Sequence, residues 1–272
     1  MDEESGQAGW PESDGANPEQ VLPGLVIGGA PRSGTTFLCE LLSRHPQAYV
    51  ARPFIPEPKV LFMPPSNGDA GIIDRYARLF KDAPVGRLRV EKSSHYLENA
   101  GALERFTRLL PSARAVFILR DPIARAYSNW QRSTANGLET LSFEDAIAAE
   151  GKRKDPFAPE RDYVRPFDYV MRSRYGSFVR DWIEALGRER VCILQLDDAG
   201  ASPKQLAGRL LNFAGLEPLP WSRLNPGVVN AGPGGDAPEF SPELAALLRE
   251  RLAPEMTLLA QITGLDVGRW GF

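Results

Sequence analysis

Leu25-Val26-Ile27-Gly28-Gly29-Ala30-Pro31-Arg32-Ser33-Gly34-Thr35-Thr36-Phe37 reads as a buried strand that runs through a glycine-rich turn straight into an amphipathic helix. Glycines let the backbone curl so that successive N–H groups converge, and the helix N-terminus adds its dipole at the same point; together they predict a site for a phosphate. Against the nucleotide-triphosphatase pattern G-x-x-x-x-G-K-[ST], Gly29 and Gly34 fit, but Thr35 stands where the lysine belongs. The cation lies instead at Arg32, inside the loop, and no strand end offers an obvious carboxylate for magnesium. The plain alternative is a tight strand-to-helix turn carrying a surface arginine.

Outward from this segment the pattern alternates. A helix is expected over Thr35 to His45, a short strand around Ala48-Tyr49-Val50, and a helix through Ile72, Ile73, Tyr76, Leu79 and Phe80. Then follow a strand over Leu88 to Glu91, a helix through Leu103, Phe106, Leu109 and Leu110, and a strand over Ala115 to Leu119. Val191 to Leu196 is a further apolar strand, followed by a helix through Leu206, Leu210, Leu211 and Phe213. Continuously apolar strands alternating with helices predict an α/β fold: a P-loop-type parallel β-sheet with helices on both faces, in a single domain over 21–272. Residues 1–20, acidic from Asp2 to Glu19 without Lys or Arg and poor in apolar side chains, read as a disordered tail. Residues 151–168 and 216–240 read as long surface loops.

The 272 residues carry 32 Lys and Arg against 35 Asp and Glu. With the acidic tail set aside the body is near neutral, which argues against a nucleic-acid binder. No apolar run reaches the ~20 residues of a membrane span, and no basic n-region with an apolar h-region opens the chain. The expectation is a cytoplasmic protein without a membrane partner. The two cysteines, Cys39 and Cys192, sit in apolar runs and read as small buried hydrophobes, so neither a disulfide framework nor a zinc site is expected.

A second segment, Arg114-Ala115-Val116-Phe117-Ile118-Leu119-Arg120-Asp121-Pro122-Ile123-Ala124-Arg125-Ala126-Tyr127-Ser128, reads as an apolar strand ending at Arg120 and a helix that carries Ser128 two turns in. Such a pair can clasp one phosphate, the arginine as a charged fork and the serine as a directional donor. Taken together, Ala30 to Thr36 and Leu119 to Ser128 resemble the 5′-phosphosulfate loop and the 3′-phosphate segment of the sulfotransferases that use 3′-phosphoadenosine-5′-phosphosulfate (PAPS). Glu57-Pro58-Lys59-Val60-Leu61-Phe62, then Val90-Glu91-Lys92-Ser93, then Leu119-Arg120-Asp121-Pro122 is similar, in that order, to the heparan-sulfate and carbohydrate branch. The likeness runs over about 24–270, weakest in the C-terminal part.

The resemblance implies a sulfuryl transfer from PAPS, leaving 3′-phosphoadenosine 5′-phosphate, with no metal required. Arg32, Ser33, Gly34, Thr35, Thr36, Arg120 and Ser128 would bind the donor. Transfer to an alcohol needs a base for the acceptor's proton and cations for the charge growing on the leaving phosphate. Glu57, in a loop stiffened by Pro53, Pro56 and Pro58, is the candidate base; Arg32 and Lys92 are the candidate catalytic cations. His95 is a rival base, and His45 reads as a partner of a helix C-terminus.

The pattern also departs from that branch. The basic loop expected before the last helix is replaced by Asn225 to Pro238, which contains no cation, so backbone amides and Asn230 would have to serve there. Near-neutral charge argues against a polymeric acidic acceptor and for a hydroxyl, less readily an amine, of a small glycoside or metabolite. Segments 62–70 and 151–175 are candidate lids, the latter with Lys152, Arg153, Lys154, Arg161, Arg165, Arg172 and Arg174. Tyr49, Phe54, Trp130 and Tyr163 are candidates for an acceptor pocket, with core packing as the ordinary role for each. Two other readings stay open: a P-loop metabolite kinase, and a nucleotide-binding regulator without catalysis.

Overall fold

The computed structural model describes residues 21–62, 68–157, 161–196, 202–227, 229 and 240–272. The expected tail 1–20 and the loop bearing Asn230 lie outside them, as does most of the proposed lid 62–70. Five strands, β1 (Leu25–Gly29), β2 (Ala48–Val50), β3 (Leu88–Lys92), β4 (Arg114–Leu119) and β5 (Val191–Gln195), form one parallel sheet in the order β2-β3-β1-β4-β5. The helices are α1 (Thr35–Ser43), α2 (Gly68–Leu79), α3 (Ala100–Leu109), α4 (Pro122–Ala135), α5 (Phe143–Ala148), α6 (Tyr175–Leu186), α7 (Pro203–Ala214), α8 (Trp221–Leu224) and α9 (Pro242–Thr263).

Strand residues alternate between two apolar layers, which is why the strands read as unbroken apolar runs. Val26, Ala115, Phe117, Leu119 and Ile193 face one layer, completed by α2, α3, α6 and α9. Leu25, Ile27, Val90, Val116, Ile118 and Leu194 face the other, completed by α1 and α7. Each fully buried aliphatic side chain contributes roughly 1.5–3 kcal/mol, so covering both faces is what holds this sheet. A third cluster joins α4, α5 and α9 through Ile123, Phe143, Ile147, Leu248 and Leu252. The α/β parallel fold with helices on both faces is as the sequence predicts.

Beyond β1 the chain moves to one side of the sheet, to β2 and β3, and beyond β4 to the other, to β5. The crevice where these connections diverge, at the strand C-termini, is where open α/β sheets hold ligands. Gly28 is required there by packing, since a Cβ would stand 2.6 Å from the Phe117 ring. Gly34, the residue before α1, has φ 92, a conformation that only glycine takes easily.

Two side-chain expectations change. His45 is no dipole partner: it is 2% exposed, its Nδ1 accepts from the Gln47 N–H at 3.2 Å and its Nε2 lies 2.9 Å from the Glu217 carbonyl oxygen. That pairing makes it a staple between the end of α1 and the segment after α7. In 151–175, most cations are tied to acids: Arg153 to Glu139, Arg165 to Asp168, Arg174 to Glu255, and Arg172, 2% exposed, to Glu98. These four arginines form a structural charge network within the candidate lid. Both thiols are apolar fillers, Cys39 pushed up by burial to about 12 and Cys192 to about 11.

Candidate active site

The loop after β1 presents the open N-terminus of α1, for Gly34 supplies no side-chain cap to the first N–H groups. Arg32 sits in the left-handed region with φ 68, an uncommon conformation for a branched-out cationic residue and one held by its surroundings. Its Nε donates to Ser128 Oγ at 3.1 Å, so the two phosphate motifs meet although 96 residues separate them. Burial lowers the pKa of Arg32, and the neighbouring charges of Arg132 and Arg120 lower it further. Three guanidinium groups therefore converge on this end of the crevice. Asp121 caps α4, its Oδ1 accepting from Ile123 N at 2.8 Å and Ala124 N at 2.7 Å. Thr35 is buried and Thr36 half-buried at the first turn of α1, whereas Ser33 is fully buried and its hydroxyl lies beside Tyr175 under the loop.

Across the crevice, Glu57 is held by four donors. Lys92 Nζ lies 2.9 Å from Oε1, Ser94 Oγ donates to Oε1 at 2.7 Å, the Ser94 N–H donates to Oε2 at 3.1 Å, and His95 Nδ1 stands 3.5 Å from Oε2. Burial alone would raise its pKa; the hydrogen bond from His95, the charge of Lys92 and the bond from Ser94 outweigh it and hold the carboxyl well below the usual range. Lys92, 5% exposed at the end of β3, also donates to Thr36 Oγ1 at 3.3 Å. One ammonium thus touches both the phosphate loop and the carboxylate. His95 is kept neutral by burial and by the charge of Arg172. It sits between Glu57 and the buried Arg172–Glu98 pair, where it reads as a partner of the carboxylate.

The residues singled out from the sequence lie on the strand ends and loops of this crevice (Arg32 to Gly34, Glu57, Lys92, Arg120) and on the helices that leave it, Thr35 and Thr36 on α1 and Ser128 on α4. Of the candidate pocket aromatics, Tyr163 packs against the segment after Glu57: it stacks on Phe62 with centroids 4.6 Å apart and carries Lys59 Nζ over its ring at 4.5 Å. Tyr49 packs on Phe80, Phe54 belongs to the second core layer, and Trp130 packs on Tyr127 and Phe143. Three participants were not assigned to this site from the sequence, although Arg172 was noted as a candidate lid cation. Arg132 was visible as the i+4 neighbour of Ser128 on α4. Ser94 and Arg172 left no local signal, since their partners lie 37 and 74 positions away.

Residues 69–222, more than half of the chain, match the model of the Sulfotransferase family. That span holds Lys92, Arg120 and Ser128, while the phosphate loop and Glu57 precede it. The chain is 25% identical over 214 residues to bifunctional heparan sulfate N-deacetylase/N-sulfotransferase 1 of Caenorhabditis elegans, covering 75% of this chain and 23% of that protein. It is 27% identical over 209 residues to the mouse N-deacetylase/N-sulfotransferase 3, with 72% and 23% covered. The chain thus spans about a quarter of the length of these curated relatives. Among solved structures, a sulfotransferase from Alicyclobacillus acidocaldarius superposes with a TM-score of 0.73 at 26% identity, over 92% of this chain and 99% of that one. A mouse sulfotransferase, SULT7A1, solved with PAP, shares the fold at TM-score 0.54 and 14% identity, over 89% and 86%. Family match and fold agree, and the chain belongs to the sulfotransferase family.

Proposed function

We propose that this protein moves a sulfuryl group from PAPS, the donor general to its family, to a hydroxyl of a small glycoside or metabolite, with Glu57 as general base. The observation that carries the reading is Lys92, which bridges Thr36 of the phosphate loop and the Glu57 carboxylate. That bridge supports a donor and a base held within one side chain's reach, as an in-line displacement asks.

The residues divide the work. The backbone N–H groups of 33–36 and Thr36 hold the 5′-phosphate, and Arg120 with Ser128 holds the 3′-phosphate. The acceptor oxygen attacks sulfur and its proton passes to Glu57. The bond between sulfur and the bridging oxygen breaks, and its electron pair leaves on the 5′-phosphate, where Arg32 neutralises the growing charge. In the free protein Glu57 is saturated with donors and a poor base. When Lys92 turns to the sulfate oxygens, Oε1 loses its cation and becomes basic at the moment a donor is in place. His95 orients the carboxylate from the far side.

Calorimetric titration with 3′-phosphoadenosine 5′-phosphate, and in parallel with ATP plus magnesium, tests the donor without knowledge of the acceptor. Micromolar or tighter binding of the first, about −8 kcal/mol, with no comparable ATP binding is expected. ATP binding with magnesium instead would transfer the reading to a kinase. A nucleotide-binding regulator would bind the first ligand but show no sulfuryl transfer across an acceptor panel.

A further inference from the structure

Glu91 precedes Lys92 on β3, is fully buried, and takes no part in the chemistry above. Three hydroxyls donate to it: Tyr76 to Oε2 at 2.7 Å, and Ser93 and Tyr96 to Oε1, each at 2.7 Å. Two of these hydroxyls have their other side on the segment that follows Glu57. Ser93 Oγ accepts the Lys59 N–H at 2.9 Å, and Tyr96 OH accepts the Leu61 N–H at 2.9 Å. Lys59 has φ 50, a left-handed conformation that a lysine does not adopt unforced. The third hydroxyl, Tyr76, comes from α2 and lies beside the Tyr96 hydroxyl, but it holds no backbone N–H of the loop among the described residues. With no cationic partner among the described residues and its pKa raised by burial, the Glu91 carboxyl is thus the common anchor of two backbone N–H groups on either side of Val60. Burying it costs free energy that an apolar residue of the same size would not.

We propose that Glu91 is a positioning residue for sulfuryl transfer: through Ser93 and Tyr96 it clamps the 59–61 backbone and so fixes where the Glu57 carboxylate stands relative to Lys92. The inference rests on the proposed role of Glu57, but it has a readout of its own. Because Glu91 accepts and both hydroxyls donate to it, each hydroxyl is oriented with a lone pair toward the loop N–H. A carboxylate therefore sets the direction of both relays, which an amide in its place would scramble.

The test compares Tyr96→Phe with Tyr76→Phe, each of which deletes one hydrogen bond to Glu91 and the same atom. Only the first severs the clamp. Tyr96→Phe is expected to speed hydrogen exchange at the Leu61 amide by about tenfold, the loss of one ordinary hydrogen bond, whereas Tyr76→Phe leaves that amide within about twofold. In transfer assays Tyr96→Phe is expected to lower kcat by about tenfold to a hundredfold, as displaced catalytic groups do, with the affinity for 3′-phosphoadenosine 5′-phosphate and the KM for the donor unchanged. Tyr76→Phe should keep kcat. Equal kcat losses in the two variants, or a Tyr96→Phe variant with wild-type kcat and wild-type exchange at Leu61, overturns the clamp. If Tyr96→Phe does not fold, Ser93→Ala cuts the other relay and is read at the Lys59 amide against the same control. Failure of the sulfotransferase reading looks different: the wild-type protein then neither binds the nucleotide nor transfers sulfate, while the exchange comparison still decides whether the clamp exists.

Discussion

At the donor end of the crevice, positive groups crowd together: Arg32 reaches Ser128 on α4, and the charges of Arg120 and Arg132 bear on it. At the base end the opposite holds, since Glu57 has every oxygen position filled by Lys92, Ser94 and His95, and Glu91 beneath it is tied by three hydroxyls. The donor end is built from two contiguous sequence motifs on strand ends and gathers three guanidinium groups, as the proposed phosphate contacts would require. The base end is stitched from side chains of residues 57 to 172 and is electrically satisfied without any ligand. On the proposed reading, one end is poised to bind and the other to react only after a partner is drawn away. Lys92 is the side chain that belongs to both.

The largest effect expected from separating the two ends is at Glu57. Glu57→Gln should lower kcat by roughly 10²–10⁴-fold, the usual contribution of a general base, while titration with 3′-phosphoadenosine 5′-phosphate shows near-native affinity. Parallel losses of both would erase the distinction between the ends. Within the donor end the arginines should divide. Arg32→Ala is expected to lower kcat by roughly 10²-fold with a smaller loss of nucleotide affinity, since its charge serves the leaving group. Arg120→Ala should weaken nucleotide binding by roughly tenfold to a hundredfold, as loss of a charge-assisted hydrogen bond does, with kcat at saturating donor changed least. Unchanged affinity there would remove the 3′-phosphate assignment.

The smallest effect concerns pH and probes the bridge itself. The folded-state pKa of Glu57 is depressed, so the carboxylate stays ionised well into acid and its proton uptake limits activity only as pH falls below that lowered value. Lys92→Met removes one of the charges that depress it, and the acid limb of kcat/KM should move up toward the ordinary carboxylate value of about 4.3. A limb that stays in place would mean that His95 and Ser94 alone set the carboxyl, and that Lys92 does not couple the two ends.

The same contrast explains what could be read from the amino-acid sequence. The donor end was legible because each motif is local: strand, turn and helix follow one another in Leu25 to Phe37 and again in Arg114 to Ser128, and their apolar runs reveal the strands that place them. Glu57 was reachable only through the order of motifs in a resemblance, since a lone glutamate between prolines has no periodicity to declare it. Its partners were less legible still. Ser94 and Arg172 act through the folded loops that bring them over the sheet, and Glu91 looked like a charge at the end of a strand until its three hydroxyl donors were placed around it. His45 was misread for the same reason, because the Glu217 carbonyl that claims it lies 172 residues away. Local chemistry survives translation from sequence, and contacts closed by the whole chain do not.

The bond between Arg32 and Ser128 ties a turn leaving β1 to a helix leaving β4, on opposite sides of the point where the connections diverge. A ligand gripped by both would be lost whenever either side opened, so its binding free energy would be added to the unfolding of the entire sheet and not to one loop. Ligand at a hundred times its dissociation constant would then contribute about 2.7 kcal/mol to global stability, and the melting temperature of the protein would serve as a gauge of donor occupancy while the acceptor is still being sought.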